Sequence, residues 1–106
     1  MELIVKDIIN NDLAISSESG QEIFEILDQN VTNKIRTNVN FSNLLTITTA
    51  FFNSAIGDLY AKWDPKDLND YVHIEVTSLT DLQKEKLKLV MDNAKSKLTD
   101  EELKRY

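Results

Sequence analysis

The chain has 106 residues, 42% of them hydrophobic, with 12 Lys or Arg against 18 Asp or Glu and a formal net charge of −6. It has no Cys and 1 His, which excludes a disulfide framework, a thiolate metal site, a cysteine nucleophile and the usual two-His metal sites. The hydrophobic content supports a packed core, the length fits one domain over residues 1–106, and the acidity argues against a phosphate-backbone binder.

No apolar run approaches the ~18 residues of a membrane span, and the start MELIVKDIINN lacks a basic region and a cleavage site. A soluble cytoplasmic domain with no membrane or direct nucleic-acid partner is therefore expected. The charge is uneven. Residues 1–80 hold five basic residues (Lys6, Lys34, Arg36, Lys62, Lys66) and twelve acidic ones, whereas residues 81–106 hold seven basic and six acidic. That C-terminal mixture fits a solvated helix face with pairs four apart, with a basic docking surface as the sharper alternative.

Taken in chain order, Glu2 to Ile9 is rich in β-branched residues and predicts a strand. Asn10-Asn11-Asp12 marks a turn, and Leu13 to Ile15 predicts a short return strand, antiparallel to the first. Ser16 to Gly20 punctuates the chain. Ser19 and Glu22 have capping-box spacing, and Ile23, Phe24, Ile26 and Leu27 follow at helical spacing, with Asn30 near the helix end. Lys34 to Phe41 alternates, with Ile35, Thr37, Val39 and Phe41 on one face of a strand.

Thr48 or Thr49 caps the next helix, in which Phe52, Ala55, Ile56, Leu59 and Trp63 form an apolar stripe widened by Phe51 and Tyr60. Gly57 within it permits close approach to the sheet. Asp64 as N-cap and Pro65 at the first position predict a short helical turn through Leu68. Tyr71 to Val76 alternates as a strand. Ser78 or Thr80 caps the last helix, whose stripe is Leu87, Val90, Met91, Ala94 and Leu98, with Leu82 and Leu89 nearby. Thr99 and Glu102 repeat the capping-box spacing, so residues 98–106 read as a polar extension whose final turn redirects the tail. Strands separated by helices imply crossovers and a largely parallel sheet. The expected fold is α/β: about four strands in one mixed sheet with three main helices packed on it.

The segment Val39-Asn-Phe-Ser-Asn-Leu-Leu-Thr-Ile-Thr-Thr-Ala-Phe-Phe-Asn-Ser-Ala-Ile-Gly57 resembles the signature of small STAS-like domains of unassigned function. These are relatives of bacterial anti-sigma-factor antagonists. Phe41, Ser42, Ile47, Thr48, Phe51, Asn53 and Gly57 fit the signature, and a looser likeness covers roughly residues 17–98. In the antagonists a serine at the start of this helix is phosphorylated by a histidine-kinase-like ATPase, and the alignment places Ala50 there. The acidic residue ending the strand becomes Asn40 and the loop glycine becomes Asn43. The serine switch is thus absent or moved to Thr48 or Thr49, at a helix start whose amides favour an anion.

The resemblance implies a bacterial regulatory module that binds a protein partner, such as an ATPase-type regulator, through Thr48, Thr49, Ala50, Phe51 and Ser54. Phe51 and Phe52 point about 100° apart, which makes Phe51 a candidate exposed anchor giving an apolar, salt-tolerant contact. The alternative is a small acidic inhibitor or decoy of phage or mobile-element origin, acting through Glu22, Glu25 and Asp28. Asp64, Asp67 and Asp70 recur every third residue but lack the pattern of a calcium loop. His73, flanked by Tyr71 and Glu75, has no partner placed by sequence and reads as a strand histidine. No metal, cofactor or enzymatic activity is expected.

Overall fold

The computed structural model describes the backbone of residues 1–103 and the side chains of residues 1–95. Strand β1 (Glu2–Ile4) is followed directly by helix α1 (Val5–Ile9), then β2 (Leu13–Ala14) and α2 (Ser17–Thr32). Strands β3 (Thr37–Asn40) and β4 (Thr46–Ile47) lead to α3 (Thr49–Phe52), a π-helical stretch Asn53–Gly57, and α4 (Leu59–Lys62). Then come α5 (Pro65–Tyr71), β5 (Val72–Ile74), a 3₁₀ turn Val76–Ser78, and α6 (Asp81–Leu103).

The strands form two small sheets rather than one of about four strands: a three-stranded sheet in the order β1-β3-β5, and the pair β2-β4. Every pairing is parallel, with Leu3 opposite Val39, Val39 opposite Ile74, and Ala14 opposite Ile47. The antiparallel hairpin expected at the start is absent because Val5 to Ile9 coils into α1. Val5 is fully buried and Ile9 packs against the core. Residues four apart share a helical face as well as a strand register permits alternation, so the β-branched run did not discriminate. Asn10 then reverses the chain in a left-handed conformation with φ 53°.

Helix α2 begins earlier than the Ser19–Glu22 spacing predicts. Ser16 is the N-cap, its hydroxyl accepting from the Ser19 amide at 3.1 Å, so Gly20 lies within the helix instead of punctuating a loop. Gly20, Ile23, Leu27 and Val31 form its buried stripe. The helix ends in a Schellman motif, with Lys34 N–H donating to Val31 O (3.1 Å) and Ile35 N–H to Asn30 O (2.8 Å). Lys34 adopts φ 56° there, a conformation that favours glycine. Lys34→Gly is expected to raise stability by roughly 1 kcal/mol, read as a higher urea midpoint at unchanged m-value. Asn30 is buried near this end and donates to Thr37 Oγ1 at 2.9 Å.

Thr37, Val39 and Phe41 face the core as the alternation predicts, while Ile35 is left 41% exposed because the strand starts only at Thr37. Phe41 packs edge-on to Phe52 (5.6 Å between ring centroids), and Phe52 edge-on to Phe51 (6.5 Å). The π-helical stretch is closed by Asp58 N–H donating to Asn53 O at 2.9 Å. Gly57 there faces Val90 of α6, where an added Cβ would come 3.2 Å from Val90 Cγ1. Its close approach is therefore to a helix, not to the sheet.

Helix α5 continues through Tyr71, which shortens the following strand to Val72–Ile74. Thr80 caps α6 in a reciprocal box: Gln83 N–H donates to Thr80 Oγ1 (3.2 Å) and Thr80 N–H to Gln83 Oε1 (2.9 Å). Ser78 instead accepts the Phe41 amide at 2.9 Å, tying the end of β3 to the turn after β5. In α6, Leu87 and Val90 are buried and Met91 and Ala94 partly so, while Leu82 and Leu89 are exposed. The backbone is helical without interruption to Leu103, so Thr99 and Glu102 open no new turn. The side chain of Leu98, and Tyr106 altogether, lie outside the described residues.

Candidate functional site

The five residues expected to form the contact surface sit where β4 passes into α3. Thr48 is the N-cap, and its hydroxyl accepts from the Phe51 amide at 3.1 Å while donating to Ile15 O at 2.6 Å. It joins the β2 end to the start of α3, so both hydrogen-bonding roles of this oxygen are already engaged. Thr49 and Ala50 are exposed in the first turn. Phe51 is fully buried, which corrects the expectation of an exposed aromatic anchor. Phe51 and Phe52 meet edge-on within one core, and α2 passes close to the Phe51 backbone at Gly20. Ser54 is also buried, donating to Ser17 O at 2.7 Å.

Around Ala50 the surface forms an open depression of about 510 Å³ between the start of α2 and the α3–π junction. Ser17, Glu18 and Gln21 line one side, and Ala50, Asn53 and Asp58 the other. Gly20 makes this approach possible. A Cβ on it would lie 2.7 Å from Ser54 Cβ and 2.8 Å from Phe51 O, separations that real Cβ atoms do not tolerate. The lining includes two carboxylates and, among the described residues, no Lys or Arg. That composition disfavours a bound anion and favours cationic or hydrogen-bond-donating groups. The anion-friendly helix start expected from sequence is further reduced because Thr48 already occupies the Phe51 amide.

Among the sequence candidates, Ala50 and Ser54 line this depression; Thr49 is exposed outside its lining, Thr48 caps the helix and Phe51 is buried. Sequence reasoning missed Ser17, Glu18, Gln21 and Asp58. Ser17, Glu18 and Gln21 are ordinary polar residues about thirty positions from Ala50, brought there only by the packing of α2 on the π-helical stretch, whereas Asp58 closes that stretch itself. Asn53 was legible as part of the signature.

Asp28 lies in a different cluster. It accepts from Lys62 Nζ at 2.8 Å and from Trp63 Nε1 at 2.9 Å, linking α2 to the end of α4. The Lys62 hydrogen bond, with a smaller one from Trp63 and against the opposing effect of burial, holds its carboxyl below the usual aspartate range. A carboxylate whose folded pKa is depressed contributes stability that is complete above its unfolded value and lost as the pH falls through the folded one. Acidification below about pH 4 should therefore weaken the α2–α4 link, followed by the emission of the single Trp. Asp28→Asn should remove that component of the acid transition; an unaltered acid limb would show that the pair contributes nothing.

On the three-stranded sheet, Asn38 Nδ2 donates to Glu2 (2.9 Å) and Glu75 (3.1 Å), and Asn40 Nδ2 donates to Glu2 (3.2 Å). These amides, Asn38 first, lower the Glu2 pKa. Asn40 thus binds a neighbouring carboxylate. His73 is exposed opposite Asn38 on β5. Asp64 occupies the N-cap of α5 without a side-chain capping bond. Among the described residues no group of three or more His, Cys, Asp or Glu side chains is placed to hold a metal ion, and no helix is long and apolar enough to cross a membrane. Asn43 has φ 66°, the left-handed backbone that glycine favours and asparagine tolerates.

The fold is thus a small α/β domain with parallel strand pairing and an acidic surface at the start of α3. A family model described as a STAS-like domain of unknown function (DUF4325) matches residues 19–83. The chain belongs to this STAS-like family. No curated protein and no solved structure matches it.

Proposed function

We propose that the domain is a regulatory protein–protein interaction module that binds its partner over the depression centred on Ala50. The observation that carries this reading is the placement of Ala50. Ala50, which the resemblance would align with the antagonists' phosphoserine, is exposed and lines a surface concavity, even though its own side chain has no chemistry to offer. A methyl group cannot accept phosphate, so binding here is constitutive in the Ala50 protein. The family likeness supports an ATPase-type regulator as partner. The acidic lining, Glu18 and Asp58, favours a partner that presents Lys or Arg, in place of the apolar contact expected from sequence. If a phosphorylation site persists, Thr49 is the accessible hydroxyl; modifying Thr48 would cost its bond to Ile15 O.

A photo-crosslinking residue at Ala50, introduced in the native host, should trap a discrete protein that the same residue at exposed Asp70 does not. Ala50→Arg should then weaken binding to that protein at least ~10-fold through bulk and like charge without changing the melting temperature. Equal cross-linking at both positions, or unchanged affinity, would reject the surface.

The second reading, an acidic decoy, finds its support in α2, where Glu18, Glu22 and Glu25 are exposed at four- and three-residue spacing. Asp28, expected to join them, is instead engaged by Lys62 and Trp63. Salt sensitivity is common to both readings, so position separates them. Glu22→Lys with Glu25→Lys should abolish binding by a decoy and spare binding over the Ala50 depression.

A further inference from the structure

Helix α6 carries a second surface of opposite character. After β5 the chain turns through Val76, and Val76, Leu79, Leu87 and Met91 form the floor of a groove of about 260 Å³. Val76 is 55% exposed, although Leu79 and Leu87 beneath it are buried. The rim is cationic: Lys84, Lys88 and Lys95 line it, with Asp92 among them. The lysines lie four and then seven residues apart, which keeps them on one helical face. Lys95 is positioned with its ammonium 5.8 Å above the Tyr60 ring, and Lys84 makes only a long, exposed pair with Asp81 at 3.9 Å, which holds it weakly. The groove shares no lining residue with the Ala50 depression.

We infer that this groove docks an acidic amphipathic segment of a partner protein, an apolar side chain entering between Val76 and Met91 while carboxylates meet Lys84 and Lys88. Charge complementarity argues for that occupant. In a chain of net charge −6, seven of the 12 basic residues fall within residues 81–106, and three of those line an apolar floor. The volume is below the roughly 300–1,000 Å³ of small-molecule sites, which suits side-chain anchors of a peptide. A nucleic acid would gain from the lysines but not from the apolar floor, and would meet the field of an acidic protein. A helix laid in such a groove anchors through residues three, four and seven apart, the spacing on which carboxylates flanking a Leu stripe also recur.

The test uses the full chain, isotopically labelled for amide NMR, and two peptides of identical Leu and Glu composition. One places its leucines on a single helical face and the other scatters them. The amphipathic peptide is expected to shift the resonances of Val76, Leu79, Lys84, Leu87, Lys88 and Met91 and leave those around Ala50 in place. Its affinity should fall several-fold as added salt shortens the Debye length from about 10 Å toward 3 Å. Lys84→Glu combined with Lys88→Glu, both on exposed positions, should abolish the shifts while amide dispersion stays native. Equal binding of the scattered peptide, shifts centred on Ala50, or no shift at all would overturn the inference. So would concentration-dependent broadening of the groove residues without peptide, abolished by the same double substitution, which would make a second copy of the chain the occupant.

Discussion

Phe51→Ala is expected to cost about 3–5 kcal/mol of stability, a large part of the roughly 5–15 kcal/mol that holds a domain of this size together. The side chain is fully buried and meets Phe52 edge-on at 6.5 Å, so truncation leaves a cavity between α2 and α3 that the closely packed backbone cannot collapse into. Urea unfolding followed by Trp63 emission would show a lowered midpoint, with the native baseline shortened or lost. Loss of partner binding in this variant would follow from unfolding and would not identify Phe51 as a contact. A loss below about 1 kcal/mol, the range of surface substitutions, would instead return Phe51 to the surface and restore an apolar anchor at the start of α3.

The second large effect concerns Gly20. In an exposed helix interior, Gly→Ala gains up to about 1 kcal/mol. Here the added methyl would meet Ser54 Cβ at 2.7 Å and the Phe51 carbonyl oxygen at 2.8 Å. The second obstacle is backbone and cannot rotate away, so the clash decides the sign, and a net loss of about 1–3 kcal/mol is expected. Gly57→Ala is the control. Its nearest obstacle is Val90 Cγ1 at 3.2 Å, the tip of a side chain that can shift, so the change should be close to neutral. Gly20→Ala also forces α2 away from the α3–π junction, which should alter the Ala50 depression and reduce partner binding beyond the change in folded fraction. Equal stability of the two variants would mean that α2 does not approach the junction this closely.

These two positions show where the chain could and could not be read directly. The apolar stripe places Phe51 in the correct helix but leaves its orientation open. Helical geometry separates adjacent residues by about 100° and does not say whether a second layer covers the far face. Gly20 read as loop punctuation because Ser, Glu and Gly clustered around it. Its role inside α2 depends on Ser54 and Phe51, more than thirty positions away. The Val5–Ile9 run is ambiguous for a related reason: its three β-branched residues, Val5, Ile8 and Ile9, satisfy a strand or a helical turn equally well, and the strand pairing with β3 ends at Ile4.

The amino-acid sequence by itself determined the α/β class, the alternation that buries Thr37, Val39 and Phe41, the caps to within Thr48 or Thr49 and Ser78 or Thr80, and the STAS-like signature from Val39 to Gly57. The alternation and the caps rest on interactions between residues within a few positions of one another, which periodicity and capping chemistry encode locally; the signature rests on resemblance. Only the tertiary structure decided that the strands pair wholly in parallel in two sheets, that Phe51 is internal, and that Ala50 lies beside Ser17, Glu18 and Gln21. It also placed Val76 beneath the lysines of α6. Such juxtapositions join elements distant along the chain, and their geometry is set by which faces can close over a common core, a choice that no local spacing specifies.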